Sequence, residues 1–442
     1  MTTLSFTSLG LSPALLEAVH AQGFIEPTQV QNASIPVGLT GRDVLAAAQT
    51  GTGKTLAYLL PIVDQIAQTP PKETSADQTA AEETRESDEE QRSRSKRRRR
   101  GRKKKEKGPF ALILAPTREL AQQISDQAQI LAEATGLRVQ LIIGGKKYTT
   151  QIEQLKQGCD LLIATPGRLI DLAGQNAVSL GKVRHLVLDE VDRMMDMGFW
   201  PSVHSIIRLL PAERQTFLFS ATLTPDVQAK AHLVQDDPAV IEIAHKGDTA
   251  DTVDEYVLPV SERQKQELLV ALLKEKGAER VIVFTRTKQA ADSCARRLKD
   301  ADIRADSIHA DKPQGKRDRA LADFRKGAID VLVATDVLAR GIDVTDVSYV
   351  VNYTVPDLPE DYIHRIGRTG RAGETGAAYT FLSPDQLLEF REIEYHTKHL
   401  LEIYDVPGFE YAEDRLVPNA KRPTKKASRS RMGRRRPSLR RR

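Results

Sequence analysis

Eight residues, Ala48-Gln-Thr-Gly51-Thr52-Gly53-Lys54-Thr55, have the composition of a phosphate-binding loop. They follow a short apolar run, Asp43–Ala47, and open a stretch of helical period, the strand–loop–helix setting such a loop needs. Glycines let backbone N–H groups converge on phosphate oxygens, and the helix N-terminus adds its positive end. Lys54 would reach the β- and γ-phosphates, and the Thr55 hydroxyl would ligand Mg2+. Ala48 stands where the usual spacing has its first glycine. Further along, the apolar run Arg184–Leu188 leads into Asp189-Glu190-Val191-Asp192. There Asp189 would hold Mg2+ through water, and Glu190 would orient or deprotonate the attacking water. A phosphate loop and a strand-end acidic pair in one domain imply hydrolysis of a nucleoside triphosphate.

Such residues need strands that end together. Short apolar runs (Asp43–Ala47, Phe110–Ala115, Leu137–Ile143, Asp160–Ala164, Arg184–Leu188, Thr216–Ser220) alternate with helical-period stretches, which is the pattern of a parallel sheet covered by helices. The alternation restarts after the polar stretch His245–Thr252, with strands expected at Arg280–Thr285, Ile329–Ala334, Ser348–Asn352 and Gly376–Leu382. Two α/β domains joined by a short linker fit this better than one large sheet. The halves could be two copies of one fold, although no repeat is visible in the sequence. Pro61, inside the helix after the phosphate loop, predicts a kink or early bend.

Charge is distributed unevenly over the 442 residues. The 65 Lys+Arg and 60 Asp+Glu give +5 overall. Residues 421–442 alone carry +12 with no acid, and residues 69–108 carry +5, which leaves −12 for the remainder. Segment 69–108 passes from eight acids between Glu73 and Glu90 to twelve basic residues between Arg92 and Lys107, a composition expected to be disordered. Both cationic segments suit polyanions, with salt-sensitive attraction through counterion release. Two cysteines, Cys159 and Cys294, exclude a disulfide scaffold and have no zinc spacing; both are expected to be small buried residues. The start lacks a basic segment followed by an apolar run, and no apolar stretch approaches 18 residues. A soluble, cytoplasmic protein with no membrane partner is expected.

Further motifs occur in a fixed order. Gly23-Phe24, Pro27-Thr28 and Gln31 precede the phosphate loop; Pro116-Thr-Arg-Glu-Leu-Ala121, Thr165-Pro-Gly-Arg168 and Ser220-Ala-Thr222 flank or follow the acidic run's half. The second half carries Phe284-Thr-Arg-Thr287, Gln314-x-x-Arg317, Ala334-Thr-Asp-Val-Leu-Ala-Arg-Gly-Ile-Asp343 and His364-Arg-Ile-Gly-Arg-Thr-Gly-Arg371. In this order the chain resembles the DEAD-box RNA helicases over roughly residues 4–405. Within them it is similar to the bacterial RhlE type, on the run Gln314–Phe324 and the ending near Pro407-Gly-Phe409.

The resemblance implies two tandem RecA-like domains: a region 1–34 around Gln31, an ATP-binding domain 35–245 carrying the insert 69–108, a linker 246–252, a second domain 253–405 and a basic disordered tail 406–442. It implies ATP and Mg2+ as cofactors and RNA as partner, in ribosomal or RNA-decay complexes. Phe24, Thr28, Gln31, Thr50, Gly51, Thr52, Gly53, Lys54, Thr55 and Asp343 would bind the nucleotide. Phe24 offers adenine a stacking face, Gln31 an amide edge reader, and Asp343 a ribose contact. Arg368 and Arg371 match the family's arginine fingers, while Ser220, Thr222 and His364 would relay between the sites. Thr117, Arg118, Gly145, Thr165, Arg168, Arg286 and Thr335 match positions that touch sugar and phosphate, contacts without a base code that distinguish RNA through its 2′-hydroxyl. Gln314 and Arg317 would touch RNA or organise the interface.

Two departures stand out. Val191 replaces the alanine of the literal Asp-Glu-Ala-Asp, which adds methyl groups but leaves every charge in place. Ala310 follows His309 where related sequences often have glycine. An ATP-gated RNA clamp and a DNA-directed motor remain alternatives to a helicase at this stage.

Overall fold

The computed structural model describes residues 5–48, 51–68, 109–243, 253–335, 347–370, 375–419 and 421–424. The insert 69–108 and the linker 246–252 lie outside the described residues, as does the tail beyond Thr424. Contacts divide the chain into two compact units between His245 and Lys246. Among the described residues no helix is long and apolar enough to cross a membrane.

The first unit holds β1 (Val44–Ala47), β2 (Ala111–Leu114), β3 (Val139–Ile142), β4 (Leu161–Ala164), β5 (His185–Leu188), β6 (Gln215–Ser220) and β7 (Ala239–Glu242). They form one sheet in the order β3-β4-β2-β5-β6-β1-β7, parallel at every pairing. Alternation along each strand divides the core between two faces. Val44, Ala46, Ile113, Ile163, Val187 and Phe217 face helices such as Lys54–Gln68 and Arg118–Thr135; Leu45, Leu112, Leu114, Leu162 and Leu188 face Pro166–Gly174 and Trp200–Ile207.

The second unit holds β8 (Val253–Pro259), β9 (Val281–Thr285), β10 (Ala305–Ile308), β11 (Val331–Thr335), β12 (Tyr349–Asn352), β13 (Gly376–Leu382) and β14 (Glu402–Ile403). Their order is β10-β11-β9-β12-β13-β8-β14, again all parallel. Renumbered from its own first strand, this is the order of the first sheet. The two units are therefore copies of one topology, two tandem RecA-like sheets flanked by helices, although the sequence shows no repeat.

The helix Lys54–Gln68 runs on through Pro61, so that proline does not end it. Helix Gln29–Leu39 packs against it at Gly38, where a Cβ would come within 2.9 Å of the Pro61 ring and 3.0 Å of Phe217. Only glycine permits that approach, which sets Thr28 and Gln31 beside the phosphate loop.

One expected boundary moves. Residues 406–419 and 421–424 are not a free tail but pack on the second unit. Val406 and Leu401 are buried, the Val406 N–H donates to the Tyr411 hydroxyl at 2.8 Å, and Gln264 brackets the strap by bonding Glu410 and Ala412. Arg422, counted above as a tail cation, is 9% exposed and places Nε 2.8 Å from both oxygens of fully buried Glu394, while donating to the Leu401 carbonyl. A basic run reads as solvated in sequence; only the tertiary fold supplies its buried carboxylate. Removing one partner of such a pair leaves the other charge uncompensated. Arg422→Ala is therefore expected to destabilise the second unit by about 3 kcal/mol, the low end of that range because Arg391 still contacts Glu394. A lowered urea midpoint for this unit checks it.

Candidate functional site

All-parallel sheets bring the C-terminal ends of their strands to one edge, where loops converge. In the first sheet β5, β6 and β1 are consecutive, and Asp189-Glu190, Ser220-Ala-Thr222 and the phosphate loop follow them. The other half of that edge belongs to β3, β4 and β2, which are followed by Gly145, by Thr165 and Arg168, and by Thr117 and Arg118. Strand order thus separates in space the residues expected to meet the nucleotide from those expected to meet RNA.

On the nucleotide half, Gly51 and Gly53 both have left-handed φ, 86° and 88°, so the loop turns tightly before the helix begins at Lys54. A Cβ on Gly53 would sit 2.4 Å from the Gln31 amide nitrogen. Gln31 is buried and already engaged: its Oε1 accepts from the Thr28 N–H at 2.9 Å and its Nε2 donates to the Gly53 carbonyl at 3.0 Å. Together with the Thr28 hydroxyl, which accepts from the Gln31 N–H, this makes a capping box for helix Gln29–Leu39. An amide keeps one further N–H and one lone pair in that arrangement, enough for a base edge. Phe24 is 40% exposed, a ring with a free face rather than a core residue.

Lys54 is buried, and among the described residues its ammonium has no hydrogen-bond partner. A buried cation in this state awaits an anion. Asp189 is also buried: Oδ1 accepts from the Glu190 N–H and Oδ2 from the Tyr58 hydroxyl, each at 3.0 Å. Burial pushes its carboxyl up to about 6, against the pull of the Lys54 ammonium. Burial and the neighbouring carboxylate push the Tyr58 hydroxyl well above its ordinary value, so it remains a donor. Buried hard oxygen donors beside an unpaired ammonium fit a polyphosphate and a divalent cation.

Glu190 adopts φ 52°, ψ 56°, a conformation that is strained for a side-chain-bearing residue, between β5 and helix Val191–Asp196. Its Oε2 lies 3.2 Å from Nη1 of Arg193, both side chains being buried. Val191 packs fully buried in the core, where its added methyls are accommodated. Asp192 accepts from the Ala221 N–H at 3.0 Å, a direct tie between the acidic run and Ser220-Ala-Thr222. The tie runs through backbone; the Ser220 hydroxyl itself is buried with no partner among the described residues, and Thr222 is half-buried.

On the other half, the loop after β3 is the hub. Arg118 packs over it, so that a Cβ on Gly144 would meet its guanidinium at 3.0 Å. Arg168 donates to the Lys146 carbonyl at 3.0 Å and stacks 3.9 Å over the Tyr148 ring, and the Thr165 N–H reaches the Ile142 carbonyl. The Thr117 hydroxyl caps helix Arg118–Thr135 by accepting from the Leu120 N–H. Gly145 takes φ 83°.

In the second unit Arg286 and Thr335 sit at the ends of adjacent β9 and β11, Arg286 paired to Asp357 at 2.5 Å. Gln314 bonds Asp318, and Arg317 is buried. His364 lies on helix Pro359–Ile366 and its carbonyl accepts from Nε of buried Arg368 at 3.3 Å. Thr50, Asp343 and Arg371 lie outside the described residues. Both cysteines are buried, their thiols pushed up to about 12 by that burial.

Sequence reasoning missed Tyr58 and Arg193. Tyr58 lies 131 residues from its carboxylate partner, a pairing visible only in three dimensions, whereas Arg193 stands three residues after Glu190, a helical spacing the sequence does carry.

The sequence matches the family model DEAD/DEAH box helicase over residues 28–230 and the Helicase conserved C-terminal domain over 264–373. It is 41% identical to the ATP-dependent RNA helicase RhlB of Pseudomonas syringae over 392 residues, which covers 88% of this chain and 91% of that protein. With the DEAD-box ATP-dependent RNA helicase CshA of Bacillus subtilis it shares 37% over 410 residues, 93% of this chain and 76% of that one. The solved structure of S. cerevisiae Dbp5 bound to RNA and ADP BeF3 superimposes with a TM-score of 0.75 at 30% identity, covering 91% of this chain and 96% of that chain. These relatives bear the names RhlB and CshA and do not carry the RhlE-type placement. On the strand-end geometry and these likenesses together, the chain belongs to the DEAD-box ATP-dependent RNA helicases.

Proposed function

We propose that this helicase binds RNA through its backbone and, at the cost of ATP, separates short RNA duplexes or remodels RNA–protein complexes. The observation that carries the reading is the nucleotide half of the first sheet edge, where an unpartnered buried ammonium, Lys54, stands with Asp189 and Glu190 around the end of β6. Phe24 stacks on adenine and the spare valences of Gln31 read its edge, which favours ATP over GTP. Thr28, Thr50, Gly51, Thr52 and Gly53 form the cradle, and Lys54 meets the β/γ-phosphates. Thr55 and Asp189 hold Mg2+, which when bound neutralises developing phosphate charge. Glu190 takes the proton of the attacking water. From the second domain Arg368 and Arg371 stabilise the transferring γ-phosphoryl group, Asp343 meets the ribose, and Ser220, Thr222 and His364 couple the sites.

Thr117, Arg118, Gly145, Thr165, Arg168, Arg286 and Thr335 hold sugar and phosphate, so binding is independent of sequence. Cytoplasmic ribosome-assembly or RNA-decay complexes are the proposed setting. The RhlE-type placement rests on Gln314–Phe324 and Pro407-Gly-Phe409. The test is ATP-dependent displacement of a strand from a short RNA duplex, with ATPase measured on RNA and on DNA. Displacement together with RNA-selective stimulation is expected. Tight ATP-dependent binding without displacement would favour a clamp, and equal stimulation by DNA a DNA motor.

A further inference from the structure

We propose that Tyr58 is a positioning residue for the divalent cation: its hydroxyl fixes Asp189 from the helix face that carries Thr55 and so sets how tightly the Mg2+–nucleotide is held. This rests on the reading of Thr55 and Asp189 as the cation's residues. Three positions separate Thr55 and Tyr58 on helix Lys54–Gln68, which puts both on one face. The Tyr58 hydroxyl donates to Asp189 Oδ2 at 3.0 Å, and Thr55, one helical turn earlier on the same face, is close enough to act on that hydroxyl. Thus a side chain one helical turn beyond Thr55 holds the strand-end carboxylate, 131 positions further along the chain.

Nothing else accounts for a hydroxyl there. Tyr58 is fully buried in the apolar core that also holds Phe219, so apolar packing alone would be served by phenylalanine, and a buried hydroxyl is costly unless bonded. Its ring lies 5.3 Å from that of Phe219 on β6, tilted by 57°, which holds the hydroxyl on its line to Asp189. Among the described residues Tyr58 supplies the only side-chain hydrogen bond to Asp189; the other oxygen is held by backbone. With the hydroxyl gone, Oδ2 loses its fixed direction while the core keeps its ring. Partners that orient metal-binding residues are typically worth roughly 10–100-fold in metal affinity.

The test is Tyr58→Phe in the full chain, read by binding of a fluorescent ADP analogue without metal and across a Mg2+ titration, with thermal melting alongside. Metal-free affinity is expected within about 2-fold of the parent, and the Mg2+ concentration for half-maximal tightening is expected to rise roughly 10-fold or more. An unchanged Mg2+ midpoint overturns the proposal, as does a loss that is equal with and without Mg2+, which would mark a packing role. Asp189→Asn separates the two readings. If it raises the Mg2+ midpoint while Tyr58→Phe does not, the tether is wrong and the cation site stands; if neither moves it, the cation site falls and takes the tether with it.

Discussion

Glu190→Gln should keep ATP and RNA binding and lose turnover by about 10^3-fold, within the range a positioned general base contributes. The substitution is nearly isosteric. The amide oxygen can still accept from Arg193 Nη1, now 3.2 Å from the carboxylate, so the strained backbone at φ 52° and the start of helix Val191–Asp196 have the same support. What the amide cannot do is take a proton from water. Lys54, Thr55 and Asp189 are untouched, so the contacts proposed for them with phosphate and cation should persist. RNA-stimulated ATPase at saturating ATP, set beside equilibrium binding of a fluorescent nucleotide, checks both halves. Wild-type turnover in this variant would show that Glu190 is not the base.

The second large effect is expected at Arg371. Arg371→Ala should lower RNA-stimulated ATPase by about 10^3-fold or more, the scale of an arginine supplied to a transferring phosphoryl group, with nucleotide affinity nearly unchanged. The residues just before it are firmly held. Arg365 is buried and bonds Asn352 and the Thr354 carbonyl, and the Thr369 hydroxyl donates to the carbonyls of Val347 and Ser348. Residues 364–370 are thereby fastened across the β12 strand. Arg371→Lys should not rescue, because an ammonium lacks the planar fork of donors. If Arg371→Ala abolishes nucleotide binding instead of turnover, the residue serves affinity and the finger role is wrong.

Much of this was legible in the chain. The phosphate loop, Asp189-Glu190 and Ser220-Ala-Thr222 are local: each needs only neighbours in sequence and the end of a strand. Buried parallel strands are apolar runs, so the central strands could be marked. Ala305–Ile308, the edge strands β7 and β14, and the interior β8 were not marked, because edge strands and strands that open on polar residues, as β8 does at Asp254-Glu255, carry a weaker signal. The duplicated topology, implied by the family motifs, left no visible repeat in the sequence for a related reason. Two copies need only the same pattern of burial, which many unrelated sequences satisfy.

The opening motifs therefore determined which chemistry this protein performs, because residue type and short spacing define the donors, acceptors and charges available. Tertiary structure decided which partner each buried group has. Gln31 is a cap and a loop contact before it can be a base reader, Arg422 is an anchor for the strap and not a free tail charge, and the Tyr58 hydroxyl bonds a carboxylate 131 residues beyond itself. A buried polar group must find its complement wherever the fold places one, and sequence spacing carries no record of that distance.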